Sequence, residues 1–93
     1  MKTLAITGEL TIYTAATEKH QLQIFLESGD DLELNLSQVS ELDSAGLQIL
    51  ILMKREAARR HKKLRYSMHS KAVLDVLEMT NMTASFGDQV ILT

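Results

Sequence analysis

Residues 43–46, Asp-Ser-Ala-Gly, place a carboxylate, a hydroxyl and a glycine within four positions. They lie between two apolar runs, "LELNL" at 32–36 and "LQILILM" at 47–53. Small and polar residues at such a junction mark a strand turning into a helix. There the side chain of Asp43 or Ser44 can accept from the backbone amides near Ala45 to Leu47, as a helix N-cap does. Gly46 has no Cβ, so a phosphate or a partner's backbone can come close to amides that carry the helix's partial positive charge. Capping and ligand approach use the same geometry, and both readings stand. A serine nucleophile at Ser44 would need a base within hydrogen-bond reach, yet His20, His61 and His69 sit in no recognisable motif. The chain has no cysteine, no phosphate-loop signature and no H-E-x-x-H, so zinc and nucleotide chemistry lack their ligands. We expect no cofactor, no metal site and no enzyme; a serine-based enzyme is the contrasting class.

The elements that must position this junction are legible around it. "DLELNLS" alternates, putting Leu32, Leu34 and Leu36 on one face of a strand. Residues 46–61 predict a helix, apolar nearly all round in its first half and basic in its second. Residues 3–7 and 10–13 are β-type runs separated by Gly8-Glu9, too tight for anything except a hairpin or a bulged bend, and we take them as two antiparallel strands. Ala15, Leu22, Phe25 and Leu26 have helical spacing that Gly29 ends. "KLRYSM" at 63–68 reads as a strand, Ser70 as the N-cap of a helix over 71–79, and "QVILT" at 89–93 as a last strand. The order is β-β-α-β-α-β-α-β. Strand–helix–strand repeats require right-handed parallel crossovers, so the fold class is α/β, a mixed sheet with helices packed on it. Ligands and partners of such sheets meet the loops at the carboxyl ends of the strands, where "SELDSAG" lies.

The 93 residues make one domain, 1–93. Lacking cysteine, a leader and an apolar run long enough to span a bilayer, the chain is expected to be cytoplasmic. Its net charge of −2 conceals an asymmetry. Residues 1–53 carry eight acids and two bases, while seven of the ten bases lie between Lys54 and Arg65. No aromatic is interleaved with those bases before Tyr66, so nucleic acid is not expected, and the basic helix end should steer an acidic protein. Met79 and Met82 form a further adaptable patch for a partner or a second copy of the chain, a homodimer, while Phe86 is expected to fold inward onto the core.

Three segments, "TGEL" at 7–10, "LNLSQVSELDSAGLQILI" at 34–51 and "HSKAVLDVLEMTNM" at 69–82, together resemble the STAS domain family of anti-sigma-factor antagonists and sulphate transporters. The resemblance spans nearly the whole chain. It implies a STAS-like fold and partner switching, in which a kinase that doubles as an anti-sigma factor modifies a serine or threonine directly before the glycine. Here that position is Ala45, and the acid that such members carry after "GEL" is replaced by Thr11. Asp43 and Ser44 do match the motif. The D-[ST]-A-G turn and the "MTNM" ending are also similar to the small MlaB-type STAS subunit of an ABC phospholipid transporter, and "LDSAGLQILILMKREA" at 42–57 with "HSKAVLDVLEMTNM" resembles short STAS proteins of bacterial chemotaxis clusters.

The resemblance therefore implies a non-catalytic signal-transduction module that docks a regulatory protein through residues 40–55. That protein would be an anti-sigma factor or kinase, a chemotaxis component or a transport ATPase. Asp43, Ser44, Gly46, Leu47, Gln48, Ile51 and Arg55 are the expected contact residues, since 44, 48, 51 and 55 share one helix face. Alanine has no hydroxyl, so intact mass and phosphopeptide mapping of the protein from cells should find this loop chiefly unphosphorylated. Ser44 is the only fallback inside the motif, and a stoichiometric phosphate there would show that the switch survives by displacement of one residue.

Overall fold

The computed structural model describes residues 1–80. The elements run β1 (Lys2–Leu10), α1 (Ala15–Glu27), β2 (Asp31–Leu42), α2 (Ser44–Arg59), β3 (Lys63–Ser67) and α3 (Lys71–Thr80). The strands lie in the order β1-β2-β3, and both pairings are parallel. The expected α/β class, with helices packed on a sheet, is what forms. The expected strand at 89–93 and the side chains of Met82 and Phe86 lie outside the described residues.

The opening of the chain departs from expectation. Residues 3–13 do not make an antiparallel hairpin; β1 is one strand to Leu10, parallel to β2, and Ile12 and Tyr13 belong to the turn that follows. Gly8 does sit at a break, but a bulged one. Its φ of +88° accompanies a register shift between Gly8 and Glu9, and a second shift falls between Ala5 and Thr7. Each shift gives β2 one extra residue, so that Ala5 faces Asn35 but Thr7 faces Gln38. An extra residue reverses which side chains face the core. Leu32, Leu34 and Leu36 are buried at even positions, and beyond the first bulge the buried residue is Val39.

The core fills the space between this sheet and the helices. Leu22 and Leu26 of α1, Ile49, Leu50 and Met53 of α2, and Val73 and Leu77 of α3 are all buried. Tyr66 of β3 is buried as well, and its hydroxyl donates to the Leu50 carbonyl, which lets a polar tip enter the core at no unpaired cost. Ser70 caps α3 as expected: its Oγ accepts from Val73 N–H at 3.3 Å, and its own N–H reaches the Leu36 carbonyl at 3.1 Å.

Most of the basic run is exposed, but several of its members have partners within the chain, and Lys54 and Lys62 are partly buried. Lys62 Nζ donates to the carbonyls of Leu26 (2.7 Å) and Gly29 (2.9 Å), closing the C-terminal end of α1 where a cation meets the helix dipole favourably. Lys54 Nζ donates to the Leu64 carbonyl at 2.6 Å and lies 5.0 Å from the centre of the Tyr66 ring. Arg59 and Arg60 both hold Glu56, and their hydrogen bonds, Arg59's foremost, pull its carboxyl down to about 2. The end of α2 is sealed by His61 in the left-handed region (φ 58°), with Lys62 N–H reaching back to the Ala57 carbonyl at 2.8 Å.

The N-terminus of α2 is fixed by a contact that tolerates no side chain. A Cβ on Gly46 would lie 1.9 Å from the Leu10 carbonyl oxygen and 2.8 Å from Leu42 Cδ1. In an open helix, alanine is better than glycine by about 1 kcal/mol. Forcing an atom into backbone costs on the order of 1–3 kcal/mol or more, so the clash wins. Gly46→Ala should lower the unfolding free energy by about 2 kcal/mol, read as a lower denaturant midpoint at unchanged slope. A stabilised variant would mean that α2 does not start against β1.

Candidate functional site

The site is the carboxyl edge of the sheet, where the β1–α1 turn and the β2–α2 junction meet. Asp43 has extended backbone (φ −113°, ψ −173°) and forms the N-cap of α2. Its Oδ1 accepts from Gly46 N–H at 3.0 Å, and its Oδ2 accepts from Ile12 N–H at 2.9 Å across 31 residues of sequence. One carboxylate therefore caps a helix and fastens a second loop to it. Those backbone hydrogen bonds, Gly46's first and then Ile12's, hold the Asp43 carboxyl below its ordinary value against the opposing effect of burial.

The β1–α1 turn is itself tightly hydrogen-bonded. Thr11, where the resemblance led us to note a missing acid, is buried; its hydroxyl donates to Glu9 Oε1 at 3.1 Å and accepts from Tyr13 N–H at 3.3 Å. Thr14 Oγ1 accepts from Thr11 N–H at 3.1 Å and donates to the Glu9 carbonyl at 3.0 Å. A side chain at position 11 is thus used within the turn.

The sequence-named residues divide into two groups. Ser44, Gln48 and Arg55 are exposed and Ile51 is half-buried, all along one face of α2. Gly46 and Leu47 are buried, and Asp43 and Ala45 are half-buried. The space beside Gly46 that sequence left to a phosphate or a partner's backbone is filled by the chain's own Leu10 carbonyl. Asp43's carboxylate already occupies the amide of Gly46. A second anion at this helix start would meet that charge at close range.

Sequence reasoning missed three exposed apolar side chains at or near this edge. Leu52 continues the α2 face and is 43% exposed, while Ile12 and Tyr13, read as strand, stand out of the turn. The pattern "TIYT" did carry a signal, since threonines on both sides of an apolar pair suit a hydroxyl-bonded turn. Ser44 Oγ makes no hydrogen bond among the described residues, His69 is buried, and His20 and His61 are exposed on α1 and beyond α2.

Because Asp43's folded carboxyl lies below its unfolded value, its contribution to stability is fully present above about pH 4. It is lost as pH falls through the lowered folded value. Asp43→Asn should flatten that part of the acid limb and, at neutral pH, speed hydrogen exchange at the amides of Ile12 and Gly46. An acid limb identical to that of the unaltered protein would remove Asp43 from this role.

Two solved structures share the architecture at low identity. A candidate anti-sigma factor antagonist from Thermotoga maritima superposes with a TM-score of 0.80 at 24% identity, over 98% of this chain and 78% of that one. The anti-sigma factor antagonist SpoIIAA in its unphosphorylated form gives 0.67 at 16% identity, over 96% of this chain and 77% of its own. At such identities the likeness establishes the fold. The family model described as the MlaB STAS domain matches residues 2–92. The junction at Asp43, the parallel crossovers that carry it and that match over almost every residue place the chain in the STAS domain family, among its MlaB-type members.

Proposed function

We propose that residues 1–93 form a single non-catalytic docking domain that works in the bacterial cytoplasm by binding one regulatory protein. The contact face is Ser44, Gln48, Ile51 and Arg55, extended by Leu52, with Asp43, Gly46 and Leu47 holding it in place from beneath. The observation that carries this reading is the exposure of that mixed face on a helix whose first turn is anchored twice, by Asp43 and by the Gly46 contact. Interfaces gain from such preorganisation, because less ordering entropy is lost on binding. Ser44, exposed and with no hydrogen-bonded base among the described residues, supports a binding role over nucleophilic chemistry.

The partner class follows from the family. Antagonists such as SpoIIAA suggest an anti-sigma factor or kinase, and a chemotaxis component is of the same signalling kind. A second reading, a regulatory subunit seated on a transport ATPase, is favoured by the MlaB-type family match. Alanine at position 45 suits it too, since a constitutive subunit needs no phosphate switch there. Among the described residues no helix is long and apolar enough to cross a membrane, so a transporter role would be played through the ATPase.

Identifying the proteins that co-purify with the native chain separates the two readings. Gln48→Arg tests the face in either case. Gln48 is exposed, so the substitution should change stability by no more than about 0.5 kcal/mol. It should nevertheless weaken association about tenfold or more in a direct binding assay with the recovered partner. Undiminished binding would remove this face from the interface.

A further inference from the structure

The turn after β1 pushes two large apolar side chains into solvent, Ile12 at 68% and Tyr13 at 91% exposure. The backbone that carries them is not loose. Ile12 N–H is held by Asp43, Tyr13 N–H by the Thr11 hydroxyl, and Thr14 N–H closes on the Thr11 carbonyl at 3.0 Å. An aromatic presented on ordered backbone loses little further entropy when covered, which is the character of an interface anchor.

Tyr13 is also one wall of an open groove of about 420 Å³ that runs between the ends of β1 and β2 and the side of α3. Among the described residues, every charged side chain lining it is an acid: Glu9, Glu41, Asp43 and Asp75. Asp43 is occupied by its two amides, and among the described residues the Glu9 carboxylate accepts the Thr11 hydroxyl alone. Asp75 is paired with Lys71 at 3.0 Å, but both side chains are well exposed at 57% and 88%, and such a pair exchanges readily for another cation. A groove of this composition repels nucleic acid and anionic lipid and attracts a cation.

We propose that this groove takes a basic segment of a protein partner. An arginine or lysine would lie over the Tyr13 ring with its charged head among Glu9, Glu41 and Asp75. Cations favour aromatic faces, and arginine and tyrosine are the side chains on which interfaces concentrate their energy. This inference rests on the reading of the sheet's carboxyl edge as the docking end, and it adds a charge class for the partner that the α2 face does not supply.

The test is an NMR titration of the full chain with two synthetic peptides, Arg-Leu-Arg-Leu and Glu-Leu-Glu-Leu, each blocked at both ends. The arginine peptide should shift the amides of Tyr13, Glu41 and Asp75, and the glutamate peptide should shift none of them. Tyr13→Ala and Asp75→Lys should each weaken the arginine peptide about tenfold, while Glu27→Lys at the far end of α1 should leave it unchanged. Equal weakening by Glu27→Lys, or shifts spread over all acids, would reduce the effect to net charge and overturn the proposal. Gln48→Arg separates the two inferences. If it abolishes binding of the native partner while Tyr13→Ala and Asp75→Lys leave that binding intact, the groove is not the docking site and the α2 face still is.

Discussion

The absence of a side chain at Gly46 is the constraint on which the rest of this molecule hangs. It brings the first turn of α2 against the carbonyl end of β1, closer than any L-residue with a Cβ would allow. Once that distance is set, Asp43 lies within reach of Ile12, and one carboxylate serves two loops. The exposed face of α2 and the exposed turn at Ile12 and Tyr13 then have a fixed relation to each other. A glycine that looked like an opening for a ligand is therefore a joint between two parts of the scaffold. Ligands of this edge must be met by side chains around the joint.

How much of this was legible depends on the range of the interaction. The alternation of Leu32, Leu34 and Leu36 and the apolar run from Leu47 are local patterns, and the elements they specify formed with ends shifted by a few residues. Gly8 was correctly placed as a break but wrongly turned into a hairpin. Positive φ is equally compatible with a tight turn and a bulge, and only the parallel partner, thirty residues on, decides between them. The Asp43–Ile12 bond spans 31 residues and left no mark that spacing could detect. The candidate site was found through the short D-S-A-G motif, whereas its apolar turn was missed because "LTIY" has the composition of a strand.

The basic run shows what a count of charges leaves out of a surface. Seven bases crowd positions 54–65, yet Lys54 and Lys62 lie against main-chain carbonyls, Arg59 and Arg60 converge on Glu56, and Arg65 lies 3.8 Å from Glu33. Arg55 and Lys63 make no ion pair among the described residues. Lys62 closes the end of α1, where carbonyls lack helical partners, and Lys54 takes a main-chain carbonyl of β3. At the opposite edge Glu9, Glu41 and Asp75 line one groove, and Asp75 is held there by an exposed lysine.

The parallel pairing of β1 with β2 has a consequence for how the chain reaches this state. Lys2 aligns with Leu32, and Asp31 with Lys63, so none of the three described strands meets its neighbour through a short turn. Each pairing waits for a crossover of roughly thirty residues to close, with the helix inside it already in place. Parallel pairing of this kind closes long loops before its contacts form, which slows a chain relative to a helical bundle of the same size. During synthesis β1 emerges before β2 and lacks that partner until all of α1 and β2 have followed. Its alternation of threonine, alanine and glutamate with leucine and isoleucine, and the break at Gly8, make that waiting strand a poor template for premature pairing.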